Sequence, residues 1–208
     1  MMFITFEGIE GSGKTTQIKY IQRYFKDRGQ ECIVTREPGG TEIGKKIRSI
    51  LLDPASKDIC SGSELFLYMA DRAQHVNELV IPALSAGKTV LCDRFFDATV
   101  VYQGYARGLD IKQIHRLHEL VLEGLKPDVT ILLDLPPDIG LSRAWAQIDN
   151  GRRDSAESRF EKENLSFHKR VRAGYLELAR LEPQRFRVID ATREEDKVRR
   201  DIIDAISL

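Results

Sequence analysis

Several things are scarce in this chain of 208 residues, and each scarcity removes a class of protein. Three cysteines, Cys32, Cys60 and Cys92, form an odd set without C-x-x-C spacing, which excludes a disulfide framework and a cysteine-based zinc site. They read as small buried hydrophobes. Of the four histidines, His75, His115, His118 and His168, only His115 and His118 are close in sequence, so they read as surface helix positions and not as metal ligands. No run approaches the roughly 20 apolar residues of a membrane span. The N-terminus, MMFITFEGIE, carries acids where a secretion signal carries a basic region, so a cytoplasmic location without membrane contact is expected. An excess of one charge is missing too. The 32 Lys+Arg are offset by 32 Asp+Glu, and the cationic surplus that binds nucleic acid through its phosphates is absent.

What is present describes one globular domain, residues 1–208, with 42% hydrophobic and 31% charged residues. Arginine outnumbers lysine, 20 to 12, and its planar fork is the one suited to phosphate and carboxylate oxygens. Short apolar runs at 2–6, 31–35, 89–92, 129–133 and 186–189 have the length and β-branched or aromatic content of buried strands. Helical spacing fills 14–28, 41–52, 63–86 (broken by Pro82), 111–122, 159–181 and 194–206. The alternation predicts an α/β fold: a five-stranded parallel sheet with helices on both faces. Residues 147–158, QIDNGRRDSAES, are polar with little to bury, as in a lid or functional loop.

The strongest local pattern is Gly8-Ile9-Glu10-Gly11-Ser12-Gly13-Lys14-Thr15, a match to G-x-x-x-x-G-K-[ST] between a strand and a helix. Backbone amides of Gly8 to Thr16 are expected to cradle phosphates there; Lys14 would span the β- and γ-phosphates of ATP, and Thr15 would ligate Mg2+. Asp93, closing the strand 89–92, is the second metal candidate; Asp134 competes, but Pro136-Pro137 after it look like a turn. The guanine-reading N-K-x-D, a D-x-x-G switch and an ABC-type signature are all missing, which favours a kinase.

These residues, together with Thr35-Arg36-Glu37-Pro38-Gly39-Gly40-Thr41, Asp71-Arg72-Ala73-Gln74-His75, Asp93-Arg94-Phe95 and Tyr102-Gln103-Gly104, resemble the thymidylate kinase family along nearly the whole chain. The resemblance implies a P-loop NTPase fold of the nucleoside monophosphate kinase type and transfer of the γ-phosphoryl group of ATP to dTMP, giving dTDP in dTTP biosynthesis. It implies a homodimer as well. Arg48 and Arg94 would grip the acceptor phosphate, Tyr68 would stack on thymine, and Arg72 and Gln103 would read its edge. Thr99 would lie near the base, Tyr102 would crowd the sugar C2 position, and Glu10 would face the sugar hydroxyl. Glu37 would organise the phosphate and metal region. Gly11 stands where some members carry an arginine, so the catalytic arginine is expected from the lid, Arg152 or Arg153, with Arg143 and Arg159 in reserve. The rival readings are a UMP/CMP or deoxynucleoside kinase, and a P-loop regulatory switch.

Overall fold

The computed structural model describes residues 1–152 and 154–207. Along the chain run β1 (Phe3–Glu7), α1 (Lys14–Lys26), β2 (Cys32–Arg36), α2 (Glu42–Leu52), α3 (Ser61–His75), α4 (Ile81–Ser85), β3 (Thr89–Asp93), α5 (Phe96–Thr99), α6 (Ile111–Leu122), β4 (Val129–Asp134), α7 (Pro137–Asp149), α8 (Leu165–Leu181), β5 (Phe186–Asp190) and α9 (Glu195–Ile206). The five strands form one sheet in the order β2-β3-β1-β4-β5. Every pairing is parallel, as expected from the strand–helix alternation.

All five residues of β1 are buried, so helices cover both faces of the sheet centre. Helix α1 turns Ile18, Ile21 and Phe25 inward and packs against α9, while α8 packs on β4 and β5. Among the described residues no helix is long and apolar enough to cross a membrane.

The strands run about one residue later than the apolar runs suggest, and the difference matters for chemistry. β1, β3, β4 and β5 each end on an acid, namely Glu7, Asp93, Asp134 and Asp190, and β2 ends on Arg36. In a parallel sheet these ends share one edge, where ligands of open α/β folds bind.

Other expectations need correction. The helix placed at 63–86 is three pieces: α3 passes through a π turn, Val76–Val80, into α4, whose first turn accommodates Pro82. The helix placed at 159–181 begins at Leu165, because the Asn164 side chain accepts from the Phe167 amide at 2.9 Å and caps it there. Residues 96–106, to which the apolar spacing assigns no element, form α5 continuing into a π turn, Val100–Ala106. His75, His118 and His168 are buried and not superficial; each is paired through a ring nitrogen, which removes the usual cost of burial. Cys60 is exposed, Cys32 half-buried and Cys92 buried, so only Cys92 fully matches the expected burial. On α2, Ile43 and Ile50 face outward despite their apolar spacing.

One contact bears on the phosphate loop. Gly11 has φ 70°, and a Cβ there would lie 2.0 Å from the carbonyl oxygen of Gly140 on α7. No side chain fits at residue 11 without moving α7, and an arginine from that position is excluded.

Candidate active site

The loop from Gly8 to Gly13 joins β1 to α1, with Gly8, Gly11 and Gly13 all at positive φ. Such a backbone points successive amides into one hollow at a helix N-terminus, where an anion is favoured. Lys14 folds over the loop: its Nζ donates to the Gly8 and Ile9 carbonyls at 3.0 Å each and to Ser12 Oγ at 3.3 Å. Burial, with the nearby Arg94 charge, brings its ammonium down to about 8. Thr15 Oγ1 donates to Asp93 Oδ2 at 3.3 Å, across 78 residues of sequence. Asp134 is instead occupied by Arg172, at 2.7 and 2.8 Å. The structure therefore brings Asp93, not Asp134, to the loop.

Around this loop lies a cleft of about 540 Å3 lined by Lys14, Thr15, Thr16, Asp93, Arg48 and Arg152, among others. A second, narrower cleft of about 80 Å3 is lined by Tyr68, Arg72, Thr99, Tyr102 and Gln103. Glu37, Arg48 and Arg94 border both clefts. The sequence signal thus converges on one place, and the residues assigned to two substrates fall into two adjoining spaces. A larger open depression of about 940 Å3 beside α1 is rimmed by Lys19, Arg23, Lys26 and Lys88 and has neither a glycine loop nor a strand-end acid.

Arg94 stands between the clefts. It follows β3 at φ 67°, a left-handed conformation uncommon outside glycine, and its amide donates to the Phe6 carbonyl at 3.0 Å. Its Nη1 donates to Tyr175 Oη and its Nη2 to Glu10 Oε1, both at 3.0 Å. Glu10 Oε1 also accepts from Tyr102 Oη at 2.6 Å, and Glu10 Oε2 lies 3.3 Å from His168 Nδ1. Burial alone would raise the Glu10 carboxyl, but the His168 contact and the charges of Arg94 and Lys14 outweigh it and hold the group far below the usual range. Behind this layer, Tyr175 Oη donates to Glu7 Oε2 at 2.6 Å and the Phe95 amide to Glu7 Oε1 at 2.8 Å.

The narrow cleft has its own support. Arg72 is 1% exposed and four of its five N–H groups are engaged by nitrogen or oxygen: Nε to Glu37 Oε2 (2.7 Å), Nη1 to His118 Nε2 (3.0 Å), Nη2 to Thr99 Oγ1 (3.1 Å) and the Phe95 carbonyl (3.3 Å); the second Nη1 N–H has only the Met69 sulfur, 4.0 Å from Nη1. Arg72 only donates, so His118 accepts through Nε2 and carries its proton on Nδ1. Burial and the Arg72 charge push its pKa down to about 2. Glu37 Oε1 takes the other buried ring, His75 Nδ1, at 2.8 Å. The resemblance placed Glu37 in the phosphate and metal region; it borders the phosphate-loop cleft, with its two oxygens engaged by Arg72 and His75. Tyr68 lies one turn before Arg72, and burial with the Glu64 charge raises its hydroxyl pKa.

Arg48 is gripped by Glu157, from the polar stretch 147–158. Its Nε and Nη2 donate to Glu157 Oε1 and Oε2 at 2.8 and 2.7 Å, and Nη1 donates to the Pro38 carbonyl at 3.0 Å. Arg152 is exposed on the larger cleft, and Arg153 lies outside the described residues. The reserve arginines are used elsewhere: Arg143 donates to the Ala191 carbonyl at 3.0 Å, Arg159 donates to the Leu51 carbonyl, and Arg159 Nη2 lies 2.7 Å from Glu64 Oε2 as an ion pair. Glu7, Glu64, His118, His168 and Tyr175 were missed by the sequence reading, because their partners lie on other elements, up to 168 residues away. The one available signal was an acid, Glu7, directly after four residues of apolar strand.

Two clefts that meet at Arg48 and Arg94, one shaped by a phosphate loop and the other by an aromatic ring and a guanidinium, suit a P-loop kinase of the nucleoside monophosphate class, with donor and acceptor face to face. The sequence profile of the thymidylate kinase family matches residues 6–202. A thymidylate kinase of Desulfosudis oleivorans is 58% identical over 190 residues, covering 91% of this chain and 89% of the relative. One of Desulforapulum autotrophicum is 56% identical over 206 residues, covering 99% and 91%. The crystal structure of thymidylate kinase from Ehrlichia chaffeensis superposes with a TM-score of 0.76 at 33% identity, covering 100% of this chain and 98% of that one. The chain belongs to the thymidylate kinase family, whose members are ATP-dependent phosphotransferases acting on a nucleoside monophosphate.

The buried carboxyl behind Arg94 gives a pH signature. Burial, reinforced by the Asp97 charge, raises Glu7 from 4.5 to about 7. Between those values folding takes up a proton at Glu7, so its contribution makes stability fall as pH rises from 4.5 to 7. Relative to Glu7→Gln, wild type should gain roughly 1–3 kcal/mol between pH 7 and pH 5 in urea unfolding. Identical pH dependence in the two proteins would contradict the protonated, buried Glu7.

Proposed function

We propose that this chain is a single-domain enzyme that transfers the γ-phosphoryl group of ATP to dTMP, with residues 147–158 as its lid, and that its site residues act as follows. Gly8 to Thr16 hold the ATP phosphates, and Lys14 exchanges its loop carbonyls for β- and γ-phosphate oxygens. Arg94 and Arg48 take the acceptor phosphate. Arg48 already holds the bidentate oxygen pair of Glu157, which stands in for two phosphate oxygens, so acceptor binding displaces that carboxylate. Tyr68, Arg72, Thr99 and Gln103 receive the base, Tyr102 lies against the sugar, and Glu10 faces its hydroxyl. Glu37 acts by holding Arg72. The observation that carries this reading is the meeting of the two clefts at Arg94 and Arg48, where donor and acceptor phosphates face a shared set of cations.

Chemically the protein aligns two phosphates, offsets their repulsion and keeps water out. The Thr15 hydroxyl and the Asp93 carboxylate are hard oxygen donors beside the loop. They suit Mg2+, which keeps waters and phosphate oxygens as its remaining ligands and needs no protein cage. Bound there, the ion neutralises charge on the ATP phosphates. Arg152, and Arg153 beside it, supply the arginine that Gly11 cannot, from a lid that closes over ATP. The substrates are small molecules that occur in the cytoplasm, where we place the protein.

A homodimer is part of the proposal. Helix α2 packs on α3 and α3 on α6, and this face exposes Phe66 (63%), Leu120 (75%), Ile43 and Ile50. Apolar side chains gathered on three adjoining helices fit a self-complementary interface.

The central assay couples ADP release to a panel of acceptors. Turnover with dTMP should exceed that with UMP and AMP by orders of magnitude, and Arg152→Ala should lower kcat far more than it weakens dTMP binding. Equal rates across the panel would contradict the acceptor assignment, and unchanged kcat would contradict the lid assignment. For the dimer, sedimentation equilibrium should give twice the chain mass for wild type and a single chain mass for Phe66→Glu; a monomeric wild type would contradict it.

A further inference from the structure

The two ends of the Gln103 amide have opposite hydrogen-bonding character, and sequence leaves both orientations open. The structure closes one of them. Gln103 Nε2 donates to Glu64 Oε1 at 2.7 Å, and an ionised carboxylate only accepts, so only the NH2 end of Gln103 can face it. Glu64 is buried on α3 and held as an anion by two guanidiniums: Arg107 Nε lies 2.9 Å from its Oε1, and Arg159 Nη2 lies 2.7 Å from its Oε2. Both arginines are anchored in turn, Arg107 by Glu163 at 2.9 Å and Arg159 by its amide on the Leu52 carbonyl at 3.2 Å. Gln103 lines the narrow cleft and Glu64 does not. With Nε2 committed, Oε1 is the end of the amide left for a ligand.

We propose that Glu64 is the positioning residue that fixes Gln103 as an acceptor, and that it thereby selects a pyrimidine carrying N3–H, thymine or uracil, against cytosine. The inference rests on the base-cleft assignment made above. Arg72 only donates and Gln103, so held, accepts; the cleft offers one donor and one acceptor. Thymine and uracil present the matching pair, a 4-carbonyl and N3–H. Cytosine presents a 4-amino group and a bare N3, which set donor against donor and acceptor against acceptor. A site built for hydrogen bonds rejects such a ligand strongly, because its own buried polar groups are left unpaired.

The test is the ratio of kcat/KM for dTMP to that for dCMP. In Glu64→Leu the acceptor that holds Gln103 Nε2 is gone, so the Gln103 amide is free to turn either end to the base. The ratio should fall roughly tenfold or more. In a Gln103→Ala background, Glu64→Leu should leave the ratio unchanged, since the group it acts through is gone. A merely structural role would lower turnover of both substrates alike in both backgrounds, and that result would overturn the proposal. If Gln103→Ala alone left the ratio at its wild-type value, the base-cleft assignment itself would fall, a distinguishable outcome. Wild-type enzyme should use 3-methyl-dTMP poorly, because it lacks N3–H; turnover equal to dTMP would overturn the proposal however the variants fold.

Discussion

The site depends on holding cations close together before any phosphate arrives. Lys14, Arg48, Arg72 and Arg94 come from four separate elements and border two adjoining clefts, so their mutual repulsion must be offset inside the protein. Glu10 does this for Arg94, with Tyr102 and His168 engaging the carboxylate's remaining capacity. Glu37 does it for Arg72, Glu157 for Arg48, and three loop oxygens receive Lys14. Charge-assisted bonds of this sort fix direction as well as charge, which is what an electrostatic catalyst needs. A net charge of zero over 32 cations and 32 anions is the whole-chain trace of that local pairing.

The partners differ in how readily they yield. Glu10 and Glu37 are buried and multiply bonded, so they orient their arginines permanently. Glu157 lies in the polar stretch 147–158, and the Lys14 partners are backbone carbonyls and a hydroxyl; in the proposed mechanism these are the contacts that exchange for phosphate oxygens. The same division explains the glycine at 11. With α7 pressed against that backbone, a loop arginine has no room, and the proposed mechanism draws its arginine from the stretch after α7.

The fold was legible because its signals are local: period-3.6 and short apolar runs, a glycine loop between a strand and a helix, and strand-end acids. Asp93 is preferred to Asp134 because of the prolines that follow the latter, and in the structure Asp93 meets Thr15 while Asp134 is taken by Arg172. What was illegible is the supporting layer. Tyr175 on α8 reaches Arg94 across 81 residues of sequence, and no spacing rule encodes that. The three buried histidines looked superficial for the same reason, since their partners are a carboxylate, a guanidinium and hydroxyl or carbonyl oxygens distant in sequence. Residues 96–106 show no legible element in the sequence because a π turn breaks the 3.6-residue period there, at the stretch that presents Tyr102 and Gln103.

The central claim is that Arg94 works as an oriented fork and not simply as a positive charge. Arg94→Lys keeps the charge and tolerates the same backbone, but a single ammonium cannot reach Tyr175, Glu10 and a phosphate with the geometry of the guanidinium. Steady-state kinetics of Arg94→Lys with ATP and dTMP should show kcat reduced by roughly 10²–10³-fold in a protein that melts as wild type does. A variant turning over near the wild-type rate would contradict the account.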